Sequence, residues 1–273
     1  MGCQIWSAEV ARYWALLFLL VPILGTALFV VAADETSWPL LNHWFPRDVS
    51  EYGYVIDNLF MVILWLTGAV FLGTEFALVW FMWKYEASVN NEPAKFTHGS
   101  HNLEVIWTVI PAATLLFIAI YQLNAWADTK VRQPENPGAT VEVVGRQFEW
   151  RLRYPGPDGR FDTPDDLFSV NELHVPVNED ILVHLKSADV LHDFFLPNLR
   201  VKQDAVPGMK INVWFRATEQ GVFDLVCAEL CGWGHYKMKG LLRVESREEY
   251  EAYLKKLASE QHLAALPVGE DES

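Results

Sequence analysis

Basic residues are scarce in this chain. Lysine and arginine number 21 against 35 aspartates and glutamates, for a formal net charge of −14. That balance excludes a nucleic-acid binder of the basic-patch kind and suits a cationic partner. Cysteine is scarcer still: three in 273 residues are too few for a disulfide-built scaffold. There is no C-x-x-C-H, so no covalently attached haem is expected. Internal repeats and low-complexity tracts are absent. Aromatics are abundant, with 12 Trp and 16 Phe, which excludes a disordered chain.

What is present divides the chain in two. Three long apolar stretches lie before residue 128, which excludes a wholly soluble protein. The first, 14–33, is uncharged and matches the roughly 20 residues that cross a bilayer. Val31, Ala32 and Ala33 before Asp34 resemble a signal-peptidase site. The run exceeds the about 7–15 apolar residues of a signal peptide, so a retained helix is expected. The second run, 58–83, is interrupted only by Glu75, and the third, 105–127, carries no charge. The short segment between them makes the pair a transmembrane hairpin. Lys84 and Lys95 favour a cytoplasmic turn, with the polar half outside. An intramembrane carboxylate such as Glu75 faces protein or a water-filled cavity; a helix contact is favoured there over a proton path. Glu104 opens the third helix, where the helix dipole favours a carboxylate.

From residue 128 onward, short alternating runs at 140–144, 148–154, 172–175, 180–186, 211–216, 221–227 and 241–244 read as strands. Turn residues such as Pro155-Gly156 and Pro207-Gly208 separate them. Many short strands predict a sandwich or Greek-key barrel. A helix is expected at 246–257, with its acids first and its lysines last, followed by a frayed tail.

The loop after the sixth expected strand carries the chemistry. Cys227, Cys231, His235 and Met238 bring two thiols, an imidazole and a thioether together, a set that selects a soft or borderline metal with copper ahead of zinc. A cysteine pair alone would equally suit a disulfide. One thiol exceeds what a mononuclear His₂Cys copper site uses; two bridging thiolates suit two metals, and each then needs its own nitrogen. His192, in an expected turn, is the best second imidazole, whereas His174 and His184 fall inside expected strands. Asp158, Asp162, Asp165 and Asp166 form an acidic turn that lacks EF-hand spacing, so a solvated loop is expected there.

These residues resemble the cytochrome c oxidase subunit II family. The loop fits its C-x-E-x-C-G-x-x-H-x-x-M pattern. The upstream D-V-x-H that ends at His192 and the later Lys202, Asp204, Pro207 and Gly208 also resemble it, as do Leu103, Glu104, Trp107, Thr108 and Pro111 of the third helix. The resemblance spans about residues 55–245. It implies a membrane-anchored all-β protein: a helical hairpin, here with an extra N-terminal span, followed by a cupredoxin-like domain. It implies a dinuclear copper A centre, with Cys227 and Cys231 bridging two coppers. His192 and His235 would each ligate one; Met238 and the Glu229 carbonyl would be axial. The Glu229 side chain would reach a magnesium or manganese ion shared with subunit I, and Glu104 would stand at a proton channel of that subunit. The family's aromatic motif places Phe148 and Trp150 as candidates for electron arrival, although the family has Trp where Phe148 stands.

The function implied is electron input from a c-type cytochrome to haem in subunit I, where oxygen is reduced and protons are pumped, at a bacterial inner membrane with the copper domain on the periplasmic face. The domains expected are 1–54 (first span and outer linker), 55–127 (hairpin), 128–245 (copper domain) and 246–273 (helix and tail). A quinol oxidase subunit would lack the ligands, and nitrous oxide reductase would need a propeller for which the chain has no room. A copper A subunit of a haem-copper nitric oxide reductase and a membrane-tethered copper-binding or assembly protein stay open.

Overall fold

The structure, a computed structural model, describes residues 8–33, 46–86, 93 and 96–265. Lys95 and the tail beyond Ala265 lie outside the described residues. The chain forms two compact units, one helical and one built mainly of strands.

Three helices follow the three apolar runs: α1 (Ala8–Ala33), α2 (Gly53–Lys84) and α3 (His101–Tyr121). Both α2 and α3 are long and apolar enough to cross a membrane. Their few hydroxyls satisfy themselves on the helix: Thr67 donates to Ile63 O and Thr108 to Glu104 O, as an apolar solvent requires. Ala15 of α1 and Val79 of α2 line a common cleft. Glu75 is half-buried and one of its oxygens has no hydrogen-bond partner. The third apolar run was expected to stay helical to residue 127, but α3 stops at Tyr121. A short helix, α4 (Leu123–Trp126), and a π-turn, Ala127–Val131, complete the run. Thr129 donates to Ala125 O and Asp128 pairs with Arg132, both within this segment.

Ten strands build the second unit. They are β1 (Ala139–Arg146), β2 (Glu149–Tyr154), β3 (Leu167–Val170), β4 (Glu172–Pro176), β5 (Asp180–Ser187), β6 (His192–Leu196), β7 (Val201–Ala205), β8 (Ile211–Arg216), β9 (Gly221–Cys227) and β10 (Lys239–Glu245). They form two five-stranded sheets, β3-β2-β1-β5-β8 and β4-β10-β9-β6-β7. The pairs β1·β5 and β4·β10 are parallel, and the other pairs are antiparallel. Inward residues such as Val141, Trp150, Ile181, Phe194 and Leu225 are fully buried and alternate with outward ones along most strands. The two layers form a cupredoxin-like sandwich. Three strands, β3, β6 and β7, were not anticipated, and His192 opens a strand where a turn was expected.

Two further segments close the sandwich. The stretch before α2, read from sequence as an outer linker, is docked on it: Val49 is 1% exposed, Ser50 bridges Ala217 and Glu51 pairs with Arg216; at the start of α2 itself, Arg200 grips Asp57 through two hydrogen bonds of 2.7 and 3.0 Å. The C-terminal helix, α5 (Arg247–Ala265), outruns the expected 246–257. It lays Tyr253 flat on His174, with ring centroids 3.5 Å apart, and Tyr250 edge-on to Tyr154.

The acidic turn is organised by one guanidinium. Arg153 pairs with Glu142, Asp162 and Asp166, and both Glu142 and Asp166 are buried. The Arg153 hydrogen bond holds the Asp162 carboxyl below its usual range. Arg243 does the same for Glu172. Stability from such carboxylates is complete above the ordinary carboxylate range and is lost as pH falls through their lowered values. Arg153→Met takes the cation from the buried Asp166 carboxylate, while Glu142 keeps Lys186, and is expected to cost about 3 kcal/mol. Urea unfolding of the detergent-solubilised chain at pH 7, followed by Trp fluorescence, checks that cost. The acid-unfolding midpoint of the variant is expected to move to higher pH.

Candidate metal centre

Strand pairing assembles the centre. Strand β9 ends at Cys227, and its neighbour β6 begins at His192; Phe194 of β6 lies opposite Cys227. The chain then loops through Glu229, Cys231 and a single 3₁₀ turn, His235–Lys237, before β10. The Cys227 N–H donates to Met238 O at 3.2 Å, which closes the loop at its base. Gly145 of β1 makes room for the imidazole, because a Cβ there would lie 2.9 Å from His192 Cδ2. Trp150 backs the same ring edge-on, 6.1 Å between centroids.

Six potential ligand groups converge. Cys227 Sγ lies 3.8 Å from Cys231 Sγ, 3.9 Å from His192 Nδ1 and 3.2 Å from the Glu229 carbonyl oxygen. Cys231 Sγ lies 3.7 Å from His235 Nδ1 and 3.8 Å from Met238 Sδ. Each sulfur thus has its own imidazole. The thiols are free, and their separation far exceeds the about 2.05 Å of a disulfide. Two sulfurs each bonded at about 2.3 Å to one tetrahedral metal lie about 3.8 Å apart, and a sulfur and a nitrogen about 3.5 Å. The donor set therefore fits thiolate-bridged metal ions. Among the described residues, one ligand atom each from His192, Cys227 and Cys231 lie within 4.8 Å of one another. Most of the ligand side chains are buried, with His192 at 0% exposure, Met238 at 2% and Cys231 at 3%, while His235 is half-buried.

The electrostatics suit a cation. Burial pushes the Cys227 thiol up, but the His192 ring and nearby backbone groups outweigh it and bring the thiol down to about 6. Burial pushes Cys231 up to about 11, and the Cys227 charge adds to the rise. Burial works to lower the His192 ring, but Cys227 and Asp189 prevail and raise it. Asp189 is the orienting partner: its Oδ1 accepts from His192 Nε2 at 2.8 Å, and its Oδ2 from the Gln147 N–H at 2.8 Å. With the proton held on Nε2, the Nδ1 lone pair faces the sulfurs. Gln147 also donates to Cys231 O at 2.6 Å, tying the β1–β2 turn to the metal loop.

The other residues singled out in the sequence lie as follows. Phe148 is half-buried against the loop, and Trp150 is fully buried behind His192. Glu229 is half-buried in the loop. Glu104 occupies the first turn of α3, 55% exposed and 3.9 Å from His101 Nδ1. His174 and His184 are engaged elsewhere, with Glu245 and Asn212. Asp189 and Gln147 stand in sequence motifs, the D-V-x-H that ends at His192 and the G-x-Q of the aromatic segment, but were given no role there; the spacing of Asp189, three residues before His192, was a usable signal for one. A carboxylate that fixes a ligand imidazole strengthens metal retention, and Asp189→Asn is expected to weaken it about 10- to 100-fold. Competition of the loaded chain against a graded series of chelators measures the change.

Two family models match in order along the chain. Residues 43–125 match the cytochrome C oxidase subunit II transmembrane domain, and residues 139–244 match its periplasmic domain. The alternative cytochrome c oxidase subunit 2 of Bradyrhizobium diazoefficiens is 30% identical over 267 residues, covering 88% of this chain and 90% of that one. A probable cytochrome c oxidase subunit 2 of Rickettsia bellii is 34% identical over 261 residues, covering 90% of this chain and 94% of that one. The crystal structure of the periplasmic domain of cytochrome oxidase subunit II from Bradyrhizobium japonicum is also similar. It is 32% identical, covers 47% of this chain and 99% of that one, and has a TM-score of 0.42. With both halves of the family matched in sequence and the relatives covered almost end to end, this chain belongs to the cytochrome c oxidase subunit II family, as a membrane-anchored subunit of an oxidoreductase.

Proposed function

We propose that this chain is the electron-input subunit of a respiratory oxidase and holds a dinuclear copper A centre. The reading rests on one observation: two free, buried thiols 3.8 Å apart, each with its own imidazole, beside a buried thioether. Cys227, Cys231, His192 and His235, with Met238 and the Glu229 carbonyl, would hold the two coppers. When bound, such a pair supplies a one-electron store whose charge is shared over two metals and two sulfurs.

The protein's own groups do the rest. The sandwich holds ligands from β6, β9 and the loop in fixed positions, so little rearrangement accompanies a change of charge. Burial excludes water from the sulfurs, and Asp189 holds the His192 proton away from them. The net acidity of the chain draws a cationic c-type cytochrome by long-range attraction. The electron goes on to haem in subunit I, where oxygen reduction and proton pumping occur. Glu229 turns its carboxylate toward a magnesium or manganese ion at the border with subunit I, and Glu104 serves the mouth of a proton channel there. The hairpin, 55–127, anchors the chain in a bacterial inner membrane, with the copper domain, 128–245, on the periplasmic face.

The oxidase complex purified with this chain is expected to contain two coppers per chain in the centre that share one unpaired electron by EPR. Cys227→Ser is expected to lose at least one of them together with the shared signal. One copper or none in the unaltered chain, or a shared signal that survives Cys227→Ser, would defeat the reading.

A further inference from the structure

The ligands of the centre are buried, yet an electron must arrive from a protein that touches only the surface. Electronic coupling falls steeply with distance, so a conjugated group that reaches from the surface to the ligand loop carries most of the transfer. Three aromatic side chains border the loop on this side. Trp150 is 0% exposed, and Phe148 is half-buried. Trp233 is 76% exposed and lies midway between Cys231 and His235 in the chain.

Trp233 is held by its surroundings. Its ring meets Phe148 edge-on, with centroids 5.2 Å apart at 66°. The glycines on either side let Phe148 lie flush against the loop: a Cβ on Gly234 would come within 2.5 Å of the Phe148 ring, and one on Gly232 within 3.1 Å. Lys237 Nζ stands 4.6 Å from the Trp233 ring centre. A cation over the indole face is attracted to it and makes removal of an electron from the ring harder. Trp233 is therefore suited to act as a bridge rather than as a radical stop. Leu230 and Tyr236 of the same loop are also exposed, at 76% and 83%.

Resting on the copper A reading above, we propose that Trp233 is the residue through which the electron reaches the centre. The aromatic contact surface is thereby displaced from the β1–β2 turn, where Phe148 stands, onto the metal loop itself. One electron leaves the reduced haem iron of a docked c-type cytochrome, which is oxidised, and reduces the centre. Trp233 ends the step unchanged, and no proton moves.

The test uses the assembled, copper-loaded oxidase and a cytochrome c that reduces it. In Trp233→Leu, the limiting rate of rapid reduction at saturating cytochrome is expected to fall about tenfold or more, with the Kd changed less than about twofold. Trp233→Phe is expected to recover part of the rate. Copper content and the EPR signal are expected to match those of the unaltered complex. Independently of turnover, hydroxyl-radical footprinting is expected to show Trp233 protected from oxidation when oxidised cytochrome c is bound. An unchanged limiting rate, a loss confined to Kd, a larger effect from Phe148→Leu, or equal oxidation of Trp233 with and without cytochrome would each overturn the proposal. Fewer than two coppers in the unaltered complex would instead defeat the copper A reading on which it rests.

Discussion

A single buried imidazole organises the centre. His192 has zero exposure, one nitrogen on the Asp189 carboxylate and the other toward the Cys227 sulfur. A buried ring of this kind is tolerable only when both nitrogens are engaged. That requirement recruits the start of β6, the end of β9, the glycine in β1 that admits the ring, and the turn whose Gln147 shares Asp189. Displacing the ring disconnects two sheets and the loop at once. The same hydrogen bond that fixes the tautomer aims the lone pair, so structural and chemical roles are carried by one contact.

The two units of the chain solve opposite solvation problems. The helical unit keeps its backbone bonds within each helix and turns its hydroxyls back on their own carbonyls. The strand unit buries its apolar faces between two sheets and handles its excess acid by pairing. Arg153 collects three carboxylates, Arg200 grips Asp57, and Arg216 bonds both Asp180 and Glu51. With few cations in the composition, several guanidiniums serve more than one acid. The stretch before α2 depends on such pairs, which convert an apparent linker into part of the sandwich.

The strands that sequence reading passed over share a physical cause. In β6, His192 and Asp193 are buried beside Phe194, so the polar and apolar residues do not alternate. Burial holds the Asp193 carboxyl up to about 6, against the pull of Lys202, with Asp204 opposite it across the β6–β7 pair. In β7 only Ala205 is buried, and β3 is four residues long. A strand shows in sequence as alternating apolar and polar residue types, and none of the three has that alternation, although burial itself alternates along β3 and β7. The third apolar run misled in the other direction: hydropathy continues past Tyr121, but the backbone changes to a short helix and a π-turn.

The chemistry of the centre was legible because it is contiguous. Cys227, Cys231, His235 and Met238 sit in one loop, and their donor types and spacing state a preference for a soft metal without any fold. Length and hydropathy likewise sufficed for the helical hairpin, since a bilayer reads little else. Tertiary structure alone decided which distant groups complete the loop. His192 reaches Cys227 from 35 positions away, and Gln147 reaches Cys231 from 84. Phe148 meets Trp233 across the same gap between turn and loop. Those contacts depend on sheet order and register, which arise from packing two faces together, and no local run of residues encodes them.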